Sequence, residues 1–155
     1  MSGGRTNVRI VTTDQKGAIA ETAIGHAAVK LGIDVYRPIV EGGRFDLIFD
    51  LGKRLLRVQC KWAVRRKGVV NVRCYSSRRI ANGHRVRRYT AEEIDAIAAY
   101  CAELDRCFLL PACLVEGHGV LSLRLEPTRN RQKLNIRWAD DYDFARLDWK
   151  SISGP

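Results

Sequence analysis

The chain has 155 residues, of which 46% are hydrophobic and 28% are charged, and its formal net charge is +10. A chain of this length forms a single hydrophobic core, so one domain over residues 1–155 is expected. No apolar run approaches the length of a membrane span, and the first residues lack the apolar stretch of a signal peptide. We therefore expect a cytoplasmic protein with no membrane partner, in which residues 1–11 are flexible.

The first predicted elements are a helix and a meander of strands. Apolar residues recur at helical spacing over residues 12–31, Thr12 and Gln15 form a capping box, and Gly32 supplies the stop. Short apolar segments separated by glycine-containing turns predict three strands, over residues 34–40, 44–50 and 55–62.

The remaining elements complete a mixed fold. They are a fourth strand over residues 68–75, a basic loop over 76–89, a helix over 90–103, strands over 107–113 and 120–126, and a short helix over 137–147. The pair Thr90 and Glu93 reads as the capping box of the second helix, which would be the crossover connection. The order predicts an α/β (α+β) fold, with a mixed central β-sheet flanked by helices on both faces.

The cysteines predict no chemistry. There are five, an odd number, and none of their spacings matches a CxxC pair. Reduced thiols that act as small buried hydrophobes are expected, and a structural zinc site is the alternative.

Positive charge is concentrated in the middle of the chain. Residues 51–91 contain thirteen lysines and arginines and no acidic residue. Such a field predicts a polyanionic partner, usually nucleic acid, whereas a solvated face without chemistry is the alternative. The candidate DNA-binding residues are Arg65, Arg66, Arg78, Arg79, Arg85, Arg87 and Arg88.

The predicted hairpin around Gly52 brings three polar side chains together. A turn centred there places Asp46 opposite Gln59, with Cβ atoms roughly 5 Å apart. Gln59 and Lys61 share one face of their strand, because successive side chains alternate. Oxygen ligands suit a hard cation such as Mg²⁺, and an ammonium beside that ion would help water attack a phosphodiester. The alternative is an incidental ion pair between Asp46 and Lys61.

The same residues resemble a known nuclease family. A helical Glu, an Asp and a (D/E)xK strand after a hairpin are the pattern of the PD-(D/E)XK nucleases. More narrowly, six ordered segments resemble the branch that contains the cyanobacterial group-I-intron homing endonuclease. They are KGAIAETAIGHAAVKLG, VYRPIVEGGRFDLIFDLG, RLLRVQCKWA, YTAEEIDAIAAYC, FLLPA and NRQKLNIRWADDYDF. The resemblance implies a restriction-endonuclease-like core.

The resemblance also implies roles for individual residues. Glu21 matches the helical acid, Asp46 the metal-binding Asp, Gln59 the (D/E) position and Lys61 the catalytic lysine. Asp46, Glu21 and the backbone carbonyl of Cys60 would then hold Mg²⁺, or Mn²⁺ in its place. Two positions depart from the pattern: Phe45 stands where a proline is usual, and Gln59 replaces a carboxylate, although the branch resembled here itself uses Gln. Without the resemblance, Glu21 reads equally as a solvent-facing helix residue.

Several functions remain open from the sequence. The leading one is a metal-dependent endonuclease that cleaves double-stranded DNA at specific sites, associated with the nucleoid when bound. A homodimer or homotetramer is expected, because one small site cuts one strand at a time. The alternatives are a structure-selective nuclease like a Holliday-junction resolvase and a catalytically silent DNA-binding module. An enzyme that uses Cys60 or His26 as nucleophile is a further, weaker alternative.

Overall fold

The computed structural model describes residues 10–152. The helices are α1 (Thr13–Lys30), α2 (Ala112–Val115), a 3₁₀ helix (Ala139–Tyr142) and α3 (Trp149–Ile152). The strands are β1 (Asp34–Tyr36), β2 (Leu47–Asp50), β3 (Leu55–Arg66), β4 (Val69–Arg73), β5 (Tyr75–Ile80), β6 (Gly83–Arg88), β7 (Ala96–Cys101), β8 (Arg106–Pro111) and β9 (Val120–Arg124). No helix within the described residues is long and apolar enough to cross a membrane. The expected flexibility of residues 1–11 falls mostly on residues 1–9, which lie outside the described residues.

Helix α1 forms where its capping residues predict. The Thr12 hydroxyl accepts a hydrogen bond from the Gln15 amide at 3.2 Å, and the Gln15 side chain accepts one from the Thr12 amide at 2.9 Å. The helix ends before Gly32, whose φ of +81° lies in the left-handed region that favours glycine. The predicted capping box and helix stop are therefore confirmed.

The central sheet is mixed, as the sequence predicts. Strands β1, β2 and β3 form the predicted antiparallel meander, β7 lies parallel to β3, and β8 is antiparallel to β7. Strands β4 and β9 extend the sheet from the far end of β3. In the β2–β3 register Leu47 pairs with Val58, and the Asp46 amide donates to the Val58 carbonyl at 2.9 Å. Asp46 therefore lies opposite Gln59, which confirms that prediction.

Strand β3 changes neighbours along one of its edges. On that edge, β2 pairs with residues 55–58 and β4 with residues 64–66. Within the described chain, residues 59–63 have a strand partner only on the opposite edge, where β7 lies. The sheet thus forks around the middle of β3, and the unpaired backbone edge is left for side chains to satisfy.

Two hydrophobic clusters cover the two faces of the sheet. On one face α1 buries Ala20, Ile24 and Ala28 against residues such as Phe49 and Val58. On the other face α2 packs on β7 and β8 in a cluster that also includes residues of β4 and β9. Helix α1 has 18 residues and α2 only 4, so the helical cover is much more extensive on the α1 face.

The predicted helix over residues 90–103 is wrong. Thr90 and Glu93 do form a capping-type turn, in which the Thr90 carbonyl accepts bonds from the amides of Glu93 and Ile94. The chain then continues as β7 rather than as a helix. Five of the six β7 residues are buried, because the strand lies between β3 and β8 and is covered on both faces. A strand of this kind reads as a continuous apolar run, which periodicity alone does not distinguish from a buried helix.

Two further predictions need correction. Residues 76–89 are not a loop but most of a two-stranded hairpin, β5–β6, which is separate from the main sheet. The predicted helix over 137–147 is only the 3₁₀ turn at Ala139–Tyr142, followed later by α3. Four of the five reduced cysteines are buried as expected, whereas Cys113 is exposed.

Candidate active site

The fork in the sheet is filled by the carboxylate of Asp46. Its Oδ2 accepts a hydrogen bond from the backbone amide of Cys60 at 2.9 Å and another from Nε2 of Gln59 at 2.7 Å. The carboxylate thereby satisfies one backbone donor on the stretch of the β3 edge that no strand covers. Burial raises the pKa of Asp46, against the lowering effects of the Cys60 amide and of Lys61. The structure thus brings Asp46, Gln59 and Cys60 together.

Glu21 reaches the same region from α1. Its pKa is raised, first by burial and then by the nearby charge of Asp46. Arg37 lies 3.3 Å from the Glu21 carboxylate and lowers the pKa of both acids. Glu21 is therefore partly buried beside a second carboxylate and is not a plain solvent-facing residue. Arg37 was not among the residues singled out from the sequence, because it follows the end of a short strand without a motif of its own.

Lys61 lies on the same face of β3 as Gln59, as alternation predicts. Its Nζ donates to the backbone carbonyl of Tyr75 at 2.9 Å and lies 4.9 Å from the centre of the Tyr89 ring. Burial lowers the pKa of Lys61, whereas the charge of Asp46 raises it. The ammonium is therefore held at the point where the main sheet meets the β5–β6 hairpin.

Arg44 fastens the hairpin beside the site. It donates to the Ser76 hydroxyl at 3.0 Å and to the Arg88 carbonyl at 2.8 Å, so it contacts the base of both strands. Its guanidinium also stacks on the Tyr89 ring at 4.2 Å and lies 3.2 Å from the Glu93 carboxylate. Sequence reasoning missed this residue, because its hydrogen-bond partners lie more than thirty positions away in the chain.

The predicted DNA-binding arginines fall into two groups. Arg65 and Arg66 end strand β3, and the other five lie on the exposed β5–β6 hairpin. In the hairpin register Arg78 pairs with Arg85. Like charges directly opposite each other in a ladder are destabilising, so this arrangement favours an anionic partner. Arg79 lies opposite His84 in the same ladder. The other two hairpin arginines contact the protein body: Arg87 pairs with Glu93, and Arg88 donates to the carbonyl of Gly117.

The alternatives based on cysteine chemistry find no support. The Cys60 side chain is buried on the apolar face of β3, and burial raises its pKa, so the thiolate nucleophile is disfavoured. Within residues 10–152 no group of three or more His, Cys, Asp or Glu side chains is arranged to hold a metal ion.

The oxygen atoms at the fork nevertheless suit a hard cation. Burial raises the pKa values of the Asp46 and Glu21 carboxyls, and the negative charge of Asp46 raises the pKa of Glu21 further. A divalent cation relieves that repulsion and accepts carboxylate and carbonyl oxygens as ligands. The third oxygen is the carbonyl of Cys60, which lies 3.2 Å from Gln59 Nε2. The donor set fits Mg²⁺ or Mn²⁺.

The chain is similar to known proteins in sequence and in fold. A family model described as PD-(D/E)XK endonuclease matches residues 11–145. The solved structure of a bacterial homing endonuclease, I-Ssp6803I, matches with a TM-score of 0.71 and 25% sequence identity, covering 92% of this chain and 93% of that one. A search of curated proteins gave no match. Because the family model covers most of the chain, this protein belongs to the PD-(D/E)XK endonucleases.

Proposed function

We propose that this nuclease is a metal-dependent endonuclease that hydrolyses double-stranded DNA at specific sites. The observation that carries the proposal is the meeting of Asp46, Gln59 and Lys61 at the sheet fork, directly beside an exposed basic hairpin. The similar homing endonuclease supports site specificity. Cleavage would take place on DNA in the cytoplasm, including the nucleoid.

The family generally uses divalent metal ions. Asp46, Glu21 and the Cys60 carbonyl would hold Mg²⁺, or Mn²⁺ in its place, and the ion would activate water and neutralise charge on the phosphate. Arg37 pairs with Glu21 at the edge of this site, where its side chain is exposed and would contact a phosphate.

Lys61 would act on the reacting phosphate group. Its ammonium interacts electrostatically with Asp46 and is held by the Tyr75 carbonyl and the Tyr89 ring. A positive charge that is already in place as negative charge develops on the phosphoryl oxygens lowers the barrier without further reorganisation. The same ammonium would orient the attacking water.

Gln59 would orient Asp46. Its amide now donates to the Asp46 carboxylate, so it holds Oδ2 toward β3. Because an amide carries both an oxygen and an NH₂ group, it either donates to a carboxylate or presents oxygen to a cation. Compared with a carboxylate at this position, Gln59 leaves the site one negative charge weaker.

The β5–β6 hairpin would hold the duplex over the fork. A two-stranded ribbon fits the major groove of B-form DNA, and arginine pairs well with phosphate and guanine. Arg78, Arg79 and Arg85 would contact DNA from the ribbon, while Arg87 and Arg88 would serve near its base, together with Arg65 and Arg66 on β3. A homodimer or homotetramer would supply a second site for the second strand.

The test is to incubate the protein with phage or genomic DNA and Mg²⁺ and to sequence the ends produced. Wild type should give discrete ends, Lys61→Ala should give none, and Lys30→Ala, on the exposed end of α1, should cut like wild type. Retained DNA binding without ends from wild type would favour the silent binding module. Preferential cutting of branched DNA would favour the resolvase-like alternative.

A further inference from the structure

A second basic cleft lies away from the fork, where the β3–β4 turn faces the chain that follows β9. Its volume is about 1150 Å³, and it is lined by Arg65, Lys67, Arg124 and Arg129 together with two acids, Glu103 and Glu126. The four basic and two acidic side chains leave two net positive charges. The cleft is polar and open rather than apolar and enclosed, which suits an extended anionic chain better than a small apolar ligand.

Three of the four basic side chains in this cleft form no ion pair among the described residues. Glu126 lies 3.9 Å from Arg65, which accounts for one basic group. Among the described residues, Lys67, Arg124 and Arg129 have no acidic group within ion-pair distance. The Nε of Arg124 is buried and has no hydrogen-bond partner there. A buried donor without a partner is uncommon and calls for an acceptor.

The turn that carries Lys67 is held in an unfavourable conformation. Lys67 and Gly68 connect Arg66 to Val69 as a two-residue hairpin turn, with φ values of +46° and +76°. Turns of this kind favour Asn-Gly, since residues other than glycine, asparagine and aspartate rarely adopt positive φ. Lysine at the first position is therefore a costly choice for folding, and strain of this kind points toward function.

The cleft is aligned with the proposed active site. Arg65 lies four residues beyond Lys61 on the same strand and on the same face, because side chains alternate. At the usual rise this is about 13 Å, or about four base pairs along a duplex. A duplex that is seated at the fork and runs along β3 would therefore reach the cleft.

We propose that this cleft binds the phosphodiester backbone of the DNA flank, about four base pairs from the cut, through Lys67, Arg124 and Arg129. The inference rests on the proposed function, since it takes DNA as the ligand. It adds a contact surface separate from the β5–β6 hairpin.

The test measures how binding depends on salt. Fluorescence anisotropy with a labelled duplex of about thirty base pairs, in EDTA to prevent cleavage, would be run for wild type, Arg124→Gln/Arg129→Gln, Lys67→Asn and the control Lys30→Gln. Each phosphate contact contributes a slope of about 0.9 in log K against log salt. The slope should fall by about 1.8 in the double variant and by about 0.9 in Lys67→Asn, while Lys30→Gln should match wild type.

Lys67→Asn also separates binding from folding. Asparagine suits the turn better than lysine, so this variant should unfold at the same or a higher temperature while it binds DNA more weakly. If wild type binds with a steep slope and every cleft variant matches Lys30→Gln, the cleft inference fails and the nuclease proposal stands. If wild type neither binds nor cuts duplex DNA, both fail.

Discussion

The Gln59 amide donates through Nε2 to Oδ2 of Asp46 at 2.7 Å, and the same nitrogen donates to the Cys60 carbonyl at 3.2 Å. One neutral group thus bridges two of the three oxygen sources proposed as metal ligands. It stabilises the fork in the absence of an ion, and it competes with an ion for the same oxygens.

Gln59→Glu should therefore lower the stability of the metal-free protein and increase the stabilisation that added metal gives. A carboxylate beside Asp46 loses the hydrogen bond and adds repulsion, so in EDTA the variant should be less stable by about 1–3 kcal/mol. Added Mg²⁺ or Mn²⁺ should stabilise it more than wild type, because tighter binding to the native state raises the unfolding free energy. Thermal unfolding across a titration of each metal checks this, and equal metal responses in the two proteins would contradict it.

Lys61→Met should separate packing from charge. Methionine keeps an unbranched apolar side chain against the Tyr89 ring. It removes the ammonium and, with it, the hydrogen bond to the Tyr75 carbonyl. We expect stability near that of wild type and single-turnover cleavage slower by about a hundredfold or more. Lys30→Met is the matched control and should cut normally. Cleavage by Lys61→Met at the wild-type rate would remove Lys61 from the chemistry.

Glu93→Gln should loosen the basic hairpin. Glu93 holds both Arg44 and Arg87, and these two arginines fasten β5–β6 to the body beside the site. Without that charge, amide hydrogens of Tyr75–Ile80 and Gly83–Arg88 should exchange faster, while those of β7 and β8 should not change. The measurement is hydrogen exchange by mass spectrometry. Uniform acceleration over the whole chain would instead indicate global destabilisation.

Arg78→Glu should stabilise the hairpin and weaken DNA binding together. The new carboxylate would face Arg85 across the ladder, replacing a like-charge pair with an opposite-charge pair worth about 0.2–1 kcal/mol. Duplex affinity should fall, since the ribbon loses a phosphate contact and gains repulsion. Lys30→Glu makes the same charge change on α1 and serves as the control. Equal affinity losses in the two variants would mean that net charge alone controls binding.

Asp95→Asn should be destabilising at neutral pH but not in acid. Burial raises the pKa of Asp95, but hydrogen bonds from the Arg57 side chain and backbone outweigh it and leave the pKa lowered. A lowered pKa in the folded state contributes stability above the unfolded value, and that contribution is lost as pH falls through the folded value. The variant should lose about 1–2 kcal/mol at neutral pH. In urea unfolding, the difference in unfolding free energy between the variant and wild type should disappear as the pH falls below about 4. A difference that persists there would contradict the assignment.

The sequence by itself determined the features of this protein that depend on residues close together in the chain. The Thr12 and Gln15 capping box and Gly32 define α1, and the turn at Gly52 sets the register that brings Asp46 opposite Gln59. Alternation then places Lys61 on the same face. Each depends on residues close in the chain, so propensity and period suffice.

Tertiary structure alone decided the remaining elements. Residues 96–101 form a strand because β3 and β8 lie on either side of them. Since both faces of this strand are apolar, its sequence lacks the alternation that would identify a strand. Residues 75–88 form a ribbon whose base is fastened by Arg44, which lies more than thirty positions from Ser76 in the chain. Contacts between distant residues, set by how the sheet forks, are what local patterns do not encode.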